Sequence, residues 1–136
     1  MAVLIDGHPG ECLPVTDRGL SYGDGLFETL ALEDGGPCLW ERHLERLAAG
    51  CRRLGIAAAD PGLRRNEAVE AIAGRRDGVL KIILTRGSGG RGYRPDPAAR
   101  PRRILQWFPA PGYPPSWSVE GVRARFCTTV LGRNPR

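Results

Sequence analysis

The chain has 136 residues, 41% of them hydrophobic and 26% charged, the ordinary make-up of one soluble domain with a buried core. No apolar run approaches the roughly 20 residues that span a bilayer, and no signal peptide opens the sequence, so we expect a cytoplasmic protein without membrane contact. The net charge of +5 comes almost entirely from arginine, because Lys81 is the only lysine. The arginines are scattered and poorly interleaved with aromatic residues, which disfavours nucleic-acid binding and favours a small anionic ligand.

The four cysteines do not indicate a metal site or a disulfide framework. No two of them form a Cys-x-x-Cys pair, the spacing that structural metal sites and redox pairs most often use. We therefore expect reduced, half-buried thiols and no bound metal. The cysteines are Cys12, Cys38, Cys51 and Cys127.

The first part of the chain is predicted to form strands joined by turns. The cluster Asp-Gly-His-Pro-Gly at 6–10 is a turn signal that makes the first two strands a hairpin, and a loop begins at Asp17. The strands are short runs of apolar and β-branched residues between such turns. They are predicted at Ala2–Ile5, Glu11–Val15, Leu26–Leu32 and Cys38–Trp40.

Two helices follow. The first is predicted from about Glu41 to Leu54, with Gly55 as its C-terminal cap, and the second from about Pro61 to Ala73, with Asp60 as its N-terminal cap. The first helix has an apolar stripe at helical spacing, which indicates that one side of it packs on a core. The stripe consists of Leu44, Leu47, Ala48, Cys51 and Leu54.

The rest of the chain returns to strands, predicted at Val79–Thr85, Arg103–Phe108 and Val119–Thr129. Strands that precede and follow a pair of helices are typical of an α+β domain. We therefore predict a largely antiparallel sheet with two helices on one of its faces.

The strand at Val79–Thr85 runs into a segment rich in glycine and arginine, Arg-Gly-Ser-Gly-Gly-Arg-Gly-Tyr at 86–93, here called the glycine loop. Its four glycines let the backbone turn sharply and approach a ligand closely. Arg86 and Arg91 add two guanidinium groups, which bind carboxylates in a bidentate way, and Tyr93 adds a hydroxyl. The loop is therefore predicted to bind a small acidic molecule.

Three segments together resemble the fold-type IV pyridoxal-phosphate enzymes. Residues 17–29, Asp-Arg-Gly-Leu-Ser-Tyr-Gly-Asp-Gly-Leu-Phe-Glu-Thr, resemble the opening signature of that superfamily, and residues 43–47 resemble its His-x-x-Arg-Leu element. The superfamily includes branched-chain and D-amino-acid aminotransferases and 4-amino-4-deoxychorismate lyases. The glycine loop and Leu-Gly-Arg-Asn-Pro at 131–135 resemble the lyases most closely.

The resemblance implies that Arg46 contacts the phosphate of the cofactor, pyridoxal 5′-phosphate; without it, Arg46 is as well explained as a solvated helix residue. Tyr22 and Phe27 match positions that wall the substrate pocket, and both can also be core aromatics. Thr29 lies two residues beyond Phe27 on the same strand face, so its hydroxyl is placed to serve that pocket.

The resemblance also implies that Arg91 and Tyr93 meet substrate carboxylates, in some relatives from the neighbouring subunit, so a homodimer is expected. The lyase substrate is a dicarboxylate, and Lys81 and Arg86 are further candidate cations. For Arg86 the alternative is a turn residue that bonds its own loop.

Lys81 raises the question of the lysine that binds the cofactor covalently. In the superfamily that lysine lies in a Gly-x-Lys-His-x-Asn segment a few residues after Arg-Asn-Pro, beyond Arg136. The chain thus resembles an N-terminal domain, residues 1–115, followed by a connector and the first strand of a second domain, residues 116–136. We expect no catalytic residue here and no activity from the chain alone.

The function implied is conversion of 4-amino-4-deoxychorismate to 4-aminobenzoate and pyruvate, a step of folate synthesis. Two alternatives remain open: an aminotransferase of the same fold, and a noncatalytic domain that dimerises or binds an anion.

Overall fold

The structure is a computed structural model that describes residues 2–57 and 61–132, apart from the side chains of 61–64. Its strands, all paired antiparallel, are β1 Ala2–Ile5, β2 His8–Pro9, β3 Gly25–Glu33, β4 Gly36–Pro37, β5 Gly78–Thr85 and β6 Arg102–Phe108, in the spatial order β2-β1-β6-β5-β3-β4. Its helices are α1 Arg18–Tyr22, α2 Trp40–Leu54, α3 Pro61–Ile72 and α4 Ser116–Glu120. The predicted α+β fold is confirmed.

The core lies between the sheet and the helices α2 and α3. Leu30, Leu80 and Leu105, on neighbouring strands, are completely buried on this side. Because side chains alternate along a strand, every second residue of β3, β5 and β6 points to the helices. The helices supply apolar side chains to the same cluster, namely Leu44, Leu47, Ala68, Ala71 and Ile72. Two helices therefore cover one face of the sheet, as predicted.

The intervening residues form the other face of the sheet. Phe27, Thr29 and Lys81 lie there side by side, and Phe27 is 64% exposed. We call the surface around these three residues the open face. An aromatic side chain left this exposed loses the stabilisation that burial provides, so the surface is a candidate for contact with another molecule.

The first hairpin is tighter than predicted. Asp6 and Gly7 both have positive φ, 53° and 82°, as the central residues of a two-residue hairpin turn do. The returning strand is therefore β2 at His8–Pro9, and the strand predicted at Glu11–Val15 is wrong.

The second hairpin shows the same effect. Asp34 and Gly35 have φ of 49° and 84°, so β3 turns directly into β4 and the strand predicted at Cys38–Trp40 is wrong. Leu39 has a positive φ of 52°, which ends the extended backbone, and α2 begins at the next residue.

The predicted helices are confirmed within a residue at the ends that are described. In α2 the buried residues are Leu44, Leu47 and Cys51, members of the predicted stripe, and Gly55 caps the helix with φ of 62°. The second helix ends at Ile72 because Ala73 has φ of 48°. Its predicted cap, Asp60, lies outside the described residues.

Helix α1 stands where the sequence predicts a loop. The Asp17 side chain accepts a hydrogen bond from the Gly19 N–H at 2.8 Å, the usual arrangement of an N-terminal cap, and Gly23 ends the helix with φ of 64°. The segment has five residues and no apolar stripe, so helical periodicity could not reveal it.

The C-terminal segment differs from its prediction. In place of a strand at Val119–Thr129, the structure has α4 followed by a segment without regular structure up to residue 132. Val122 is 67% exposed and Phe126 fully exposed. A strand needs a neighbour to satisfy its backbone groups, and the described residues offer none to this segment. The division at residue 115 stays a prediction.

Candidate functional site

The open face presents one amino group beside an aromatic ring. Lys81 lies opposite Thr29 on the neighbouring strand, and its Nζ is 5.0 Å from the ring centroid of Phe27. Such a contact stabilises the cation weakly and leaves its hydrogen-bond donors available. Among the residues that the structure describes, no carboxylate pairs with Lys81. The amino group is thus available to an external anion.

A second cation, Arg46, is held on the helix side of the sheet by Glu28. The Arg46 Nε donates to Glu28 Oε1 at 2.7 Å and Nη2 donates to Oε2 at 2.5 Å, while His43 Nδ1 lies 2.7 Å from Oε2. Hydrogen bonds from Arg46 hold the pKa of the Glu28 carboxyl below its usual range, against the effect of burial. Glu28 is thus an anion that orients Arg46.

The Arg46 side chain is nevertheless 72% exposed, although Glu28 is only 3% exposed. A guanidinium has five N–H donors, and the two bonds to Glu28 leave three of them free. A planar fork with free donors fits a phosphate group. Arg46 therefore fits the phosphate of pyridoxal phosphate on donor chemistry and access.

The free edge of β3 separates the two cations. Glu28 and Arg46 lie on the helix side, while Lys81 lies on the open face. Among the described residues, β4 pairs with β3 only at Leu32 and Glu33, so the first part of β3 is an edge. A ligand that reaches both cations has to pass around this edge.

The glycine loop is fastened to α1. Arg18, only 3% exposed, donates from Nη1 to the carbonyl oxygen of Gly92 at 2.9 Å and from Nη2 to that of Tyr93 at 3.0 Å. The Tyr22 hydroxyl accepts the Gly92 N–H at 3.0 Å, and the rings of Tyr22 and Tyr93 meet edge to face at 5.5 Å. Tyr22 and Tyr93 are thus brought together, as a shared pocket wall requires.

Arg86 is occupied by the protein itself. Its Nε donates to Asp24 at 2.8 Å, and its two terminal nitrogens donate to the carbonyl oxygens of Gly55 and Leu54 at the end of α2. The side chain is 11% exposed. Arg86 therefore has a structural role, but its partners lie in other segments and not in its own loop as the alternative supposed. We leave Arg86 out of the substrate contacts proposed below.

The glycine loop carries two exposed side chains, Arg91 and Tyr93. Arg91 is exposed and its side chain makes no hydrogen bond or ion pair within the described part of the chain. Tyr93 is 86% exposed. Both side chains are therefore accessible to a ligand, and their positions depend on the backbone that carries them.

Sequence reasoning missed Arg18, Asp24 and Glu28. A signal existed for Glu28, because it falls among the inward positions of β3, between Leu26 and Leu30, where a charge needs a partner. Arg18 and Asp24 stand in a glycine-rich segment without periodicity, and only the folded loop shows that they meet.

No described helix combines the length and apolar character that crossing a bilayer requires. In the same residues, histidine, cysteine and carboxylate side chains do not gather in threes as a metal centre would require.

The chain belongs to the Amino-transferase class IV family, whose sequence pattern matches residues 25–135. It is 33% identical over 131 residues to the aminodeoxychorismate lyase of Vibrio harveyi, covering 96% of this chain and 48% of that protein. It is 30% identical over 117 residues to the D-alanine aminotransferase of Bacillus licheniformis, covering 80% and 41%. The resemblance to fold-type IV enzymes, which use pyridoxal 5′-phosphate, is confirmed.

Solved structures agree with these relatives. The chain superposes on the 4-amino-4-deoxychorismate lyase from Pseudomonas aeruginosa with a TM-score of 0.81 and 52% identity, over 88% of this chain and 44% of that one. A hypothetical aminotransferase from Mycobacterium tuberculosis in a PLP-bound form matches with a TM-score of 0.67 and 29% identity, over 82% and 40%. This chain spans less than half the length of the relatives it matches.

Proposed function

We propose that this chain is the substrate-binding part of an aminodeoxychorismate lyase, which converts 4-amino-4-deoxychorismate to 4-aminobenzoate and pyruvate. The observation that carries the proposal is the Lys81 amino group on the open face, which has no carboxylate partner among the described residues and lies within reach of an exposed aromatic ring. The 52% identity to a solved lyase supports the choice of reaction.

Lys81 and Arg91 are the proposed partners of the two substrate carboxylates. Lys81 precedes the end of β5 at Thr85 by four residues, about 13 Å of strand, and the glycine loop starts there. Long cationic side chains from the strand and the loop can therefore approach one small dicarboxylate. The Tyr93 and Thr29 hydroxyls are placed to donate to its polar groups, while Phe27 and Tyr22 provide apolar walls.

Arg46, held by Glu28, is the proposed phosphate contact of the cofactor. When bound, pyridoxal phosphate supplies an electron sink for the carbon skeleton of the amino substrate. The described residues orient the cofactor and the substrate and balance the negative charge of the phosphate and the carboxylates. We assign no proton transfer to these residues. We propose that the lysine which binds the cofactor covalently is a residue other than Lys81, since Lys81 contacts a substrate carboxylate.

The proposed oligomeric state, cellular compartment and pathway rest on the same resemblance. A loop of this kind meets the substrate of the neighbouring subunit in some related enzymes, and Arg91 and Tyr93 are exposed as that arrangement requires. We therefore propose a cytoplasmic homodimer that acts in folate synthesis.

The test uses the complete gene product that contains this chain. It is expected to release 4-aminobenzoate from 4-amino-4-deoxychorismate, and Lys81→Met is expected to raise KM roughly tenfold to a hundredfold, the effect of one lost charge-assisted hydrogen bond. Lys81→Arg, which keeps the charge, is the matched control and should recover part of that loss. A KM that Lys81→Met leaves unchanged would contradict the proposal.

Two further measurements separate the alternatives. D-alanine aminotransferases are among the relatives, so amino-group transfer to an oxo acid is measured on the same preparation; if transfer exceeds 4-aminobenzoate release, the protein is an aminotransferase. Reduction with borohydride followed by peptide mapping identifies the lysine that holds the cofactor. A label on Lys81 would overturn the proposed roles, and absence of both cofactor and activity would leave a noncatalytic anion-binding domain.

A further inference from the structure

We propose that Arg18 is a positioning residue, which fixes the backbone of the glycine loop at residues 91–93 and thereby sets substrate affinity. This inference rests on the proposed function, because it takes Arg91 and Tyr93 as the loop's substrate contacts. Arg18 itself is 3% exposed and so does not reach a substrate.

Every nitrogen of the Arg18 guanidinium is used within the protein. Nε donates to Asp24 Oδ2 at 2.8 Å, and the two terminal nitrogens donate to the carbonyl oxygens of Gly92 and Tyr93. The planar fork also lies over the Tyr22 ring, 4.7 Å from its centroid. A lysine cannot reproduce this pattern, because it carries a single nitrogen.

The loop backbone is shaped to admit this side chain. A Cβ at Gly89 would lie 2.9 Å from the Arg18 Cδ, so glycine is required where the arginine passes. The backbone on either side is anchored as well, since the Arg18 N–H donates to the Gly87 oxygen and the Gly89 N–H donates to the Thr16 oxygen. The sequence predicts that the glycines of this loop make room for a ligand. In the structure, Gly89 makes room for the Arg18 side chain.

Asp24 joins this arrangement to the rest of the domain. One oxygen, Oδ2, accepts both Arg18 Nε and Arg86 Nε at 2.8 Å, and Arg86 in turn binds the end of α2. Although burial acts in the opposite direction, the hydrogen bonds from Arg86 and Arg18 leave the pKa of Asp24 below its usual value. If Arg18 is replaced, Asp24 retains Arg86, so the fold is expected to survive.

Nothing else in the described residues fixes the exposed side chains. The Arg91 side chain has no partner there, and Tyr93 has only the edge contact with Tyr22. Without Arg18 the backbone at 91–93 gains conformational freedom, which the substrate must remove on binding. The cost falls on substrate affinity more than on turnover.

The test measures kcat and KM of the complete gene product and two variants. Arg18→Met is expected to raise KM for 4-amino-4-deoxychorismate roughly tenfold or more, with kcat changed less than about threefold. It should also speed cleavage by trypsin after Arg91, since a freed loop fits a protease better. Arg18→Lys, which keeps the charge without the fork, should recover little.

Arg75→Met is the matched control. Arg75 also donates to two backbone oxygens, those of Ala71 and Ile72, and lies 4.6 Å from the centroid of an aromatic ring, Trp107, but it is remote from the glycine loop. This variant should leave KM and trypsin cleavage at the loop unchanged. If it raises KM as much as Arg18→Met does, general loss of stability explains both and the inference is overturned.

The outcomes distinguish failure of this inference from failure of the proposed function on which it rests. If Arg91→Met raises KM and Arg18→Met does not, only the inference fails; if both leave KM unchanged, the proposed substrate contact fails. Should Arg18→Met not fold, Tyr22→Phe removes the hydroxyl that accepts the Gly92 N–H. A KM raised about threefold or more together with faster trypsin cleavage after Arg91 supports the inference, and the absence of either change overturns it.

Discussion

Two arginine–glutamate pairs in this domain have nearly the same chemistry and opposite surroundings. In the first, Glu67 on α3 and Arg103 on β6 are 4% and 17% exposed, and the guanidinium donates to both carboxylate oxygens. In the second, Glu28 is 3% exposed but its partner Arg46 is 72% exposed. In the Glu67–Arg103 pair, here called the closed pair, both side chains are largely buried. In the Glu28–Arg46 pair, here called the open pair, a buried carboxylate holds an arginine that faces solvent.

The difference shows that a buried glutamate alone does not indicate the role of its arginine. The Glu67–Arg103 pair connects a helix to the sheet, and Asp6 accepts the Arg103 backbone N–H at 2.8 Å beside it. The Glu28–Arg46 pair leaves donors facing solvent, which a purely structural pair has no need of. Exposure of the cation therefore separates the candidate ligand contact from the structural one.

The largest effect is expected from breaking the closed pair. Arg103→Met leaves the Glu67 carboxylate buried without its partner, which should lower the free energy of unfolding by about 3 kcal/mol or more. Urea unfolding of the complete gene product measures this. The double variant Glu67→Met with Arg103→Met should recover most of the loss, because paired hydrophobic replacements are often neutral; no recovery would argue against a direct pair.

Breaking the open pair should act on ligand binding. Arg46→Met is expected to weaken pyridoxal phosphate binding roughly tenfold to a hundredfold, by the loss of charge-assisted hydrogen bonds to the phosphate. The effect on unfolding should be smaller than that of Arg103→Met, since Glu28 keeps His43 as a partner. Spectroscopic titration of the gene product with cofactor measures the affinity, and equal affinities of Arg46→Met and the unmodified protein would remove Arg46 from the site.

The open pair should also show in the pH dependence of stability. The pKa of Glu28 is lowered in the folded state, so its stabilising effect is complete above the unfolded carboxyl pKa of about 4.3 and is lost as pH falls through the folded-state pKa. The difference in unfolding free energy between the protein and Glu28→Gln should therefore shrink in acid. A difference that stays constant from neutral pH to about pH 3 would contradict this assignment.

A third pair provides the smallest effect. Arg65 and Glu41 are 65% and 74% exposed and 3.1 Å apart, so solvent screens their attraction on both sides. Glu41→Gln should change the free energy of unfolding by less than about 0.5 kcal/mol. Urea unfolding in low and high salt checks this, and a loss comparable to that of Arg103→Met would mean that exposure does not rank these pairs.

Much of the fold was predictable because local patterns agree with the packed structure. The stripe of α2 and the apolar run of β5 have one periodicity each, and both elements were predicted nearly to the residue. The errors fall where a turn or a neighbour decides the outcome. Asp6 and Asp34 adopt positive φ in two-residue turns, so the returning strands begin three and two residues earlier than predicted.

The candidate site was predictable in part. Lys81, Phe27 and Thr29 fall on one strand face by simple alternation, and the structure places them together. Arg86 could not be distinguished from Arg91 by sequence, because both are arginines of one loop. Only the fold brings the end of α2 and Asp24 against Arg86 while leaving Arg91 exposed.

By itself, then, the sequence determined the class of fold, through periodicity, and the family, through short motifs. It also supplied the candidate cations for an acidic ligand. The tertiary structure decided which of those cations remain available. A guanidinium whose three nitrogens all donate within the protein, as in Arg18 and Arg86, has few donors left to offer. Such partners come from residues as far apart as Arg18 and Tyr93. Hydrogen bonding between distant segments, which no local pattern encodes, makes that selection.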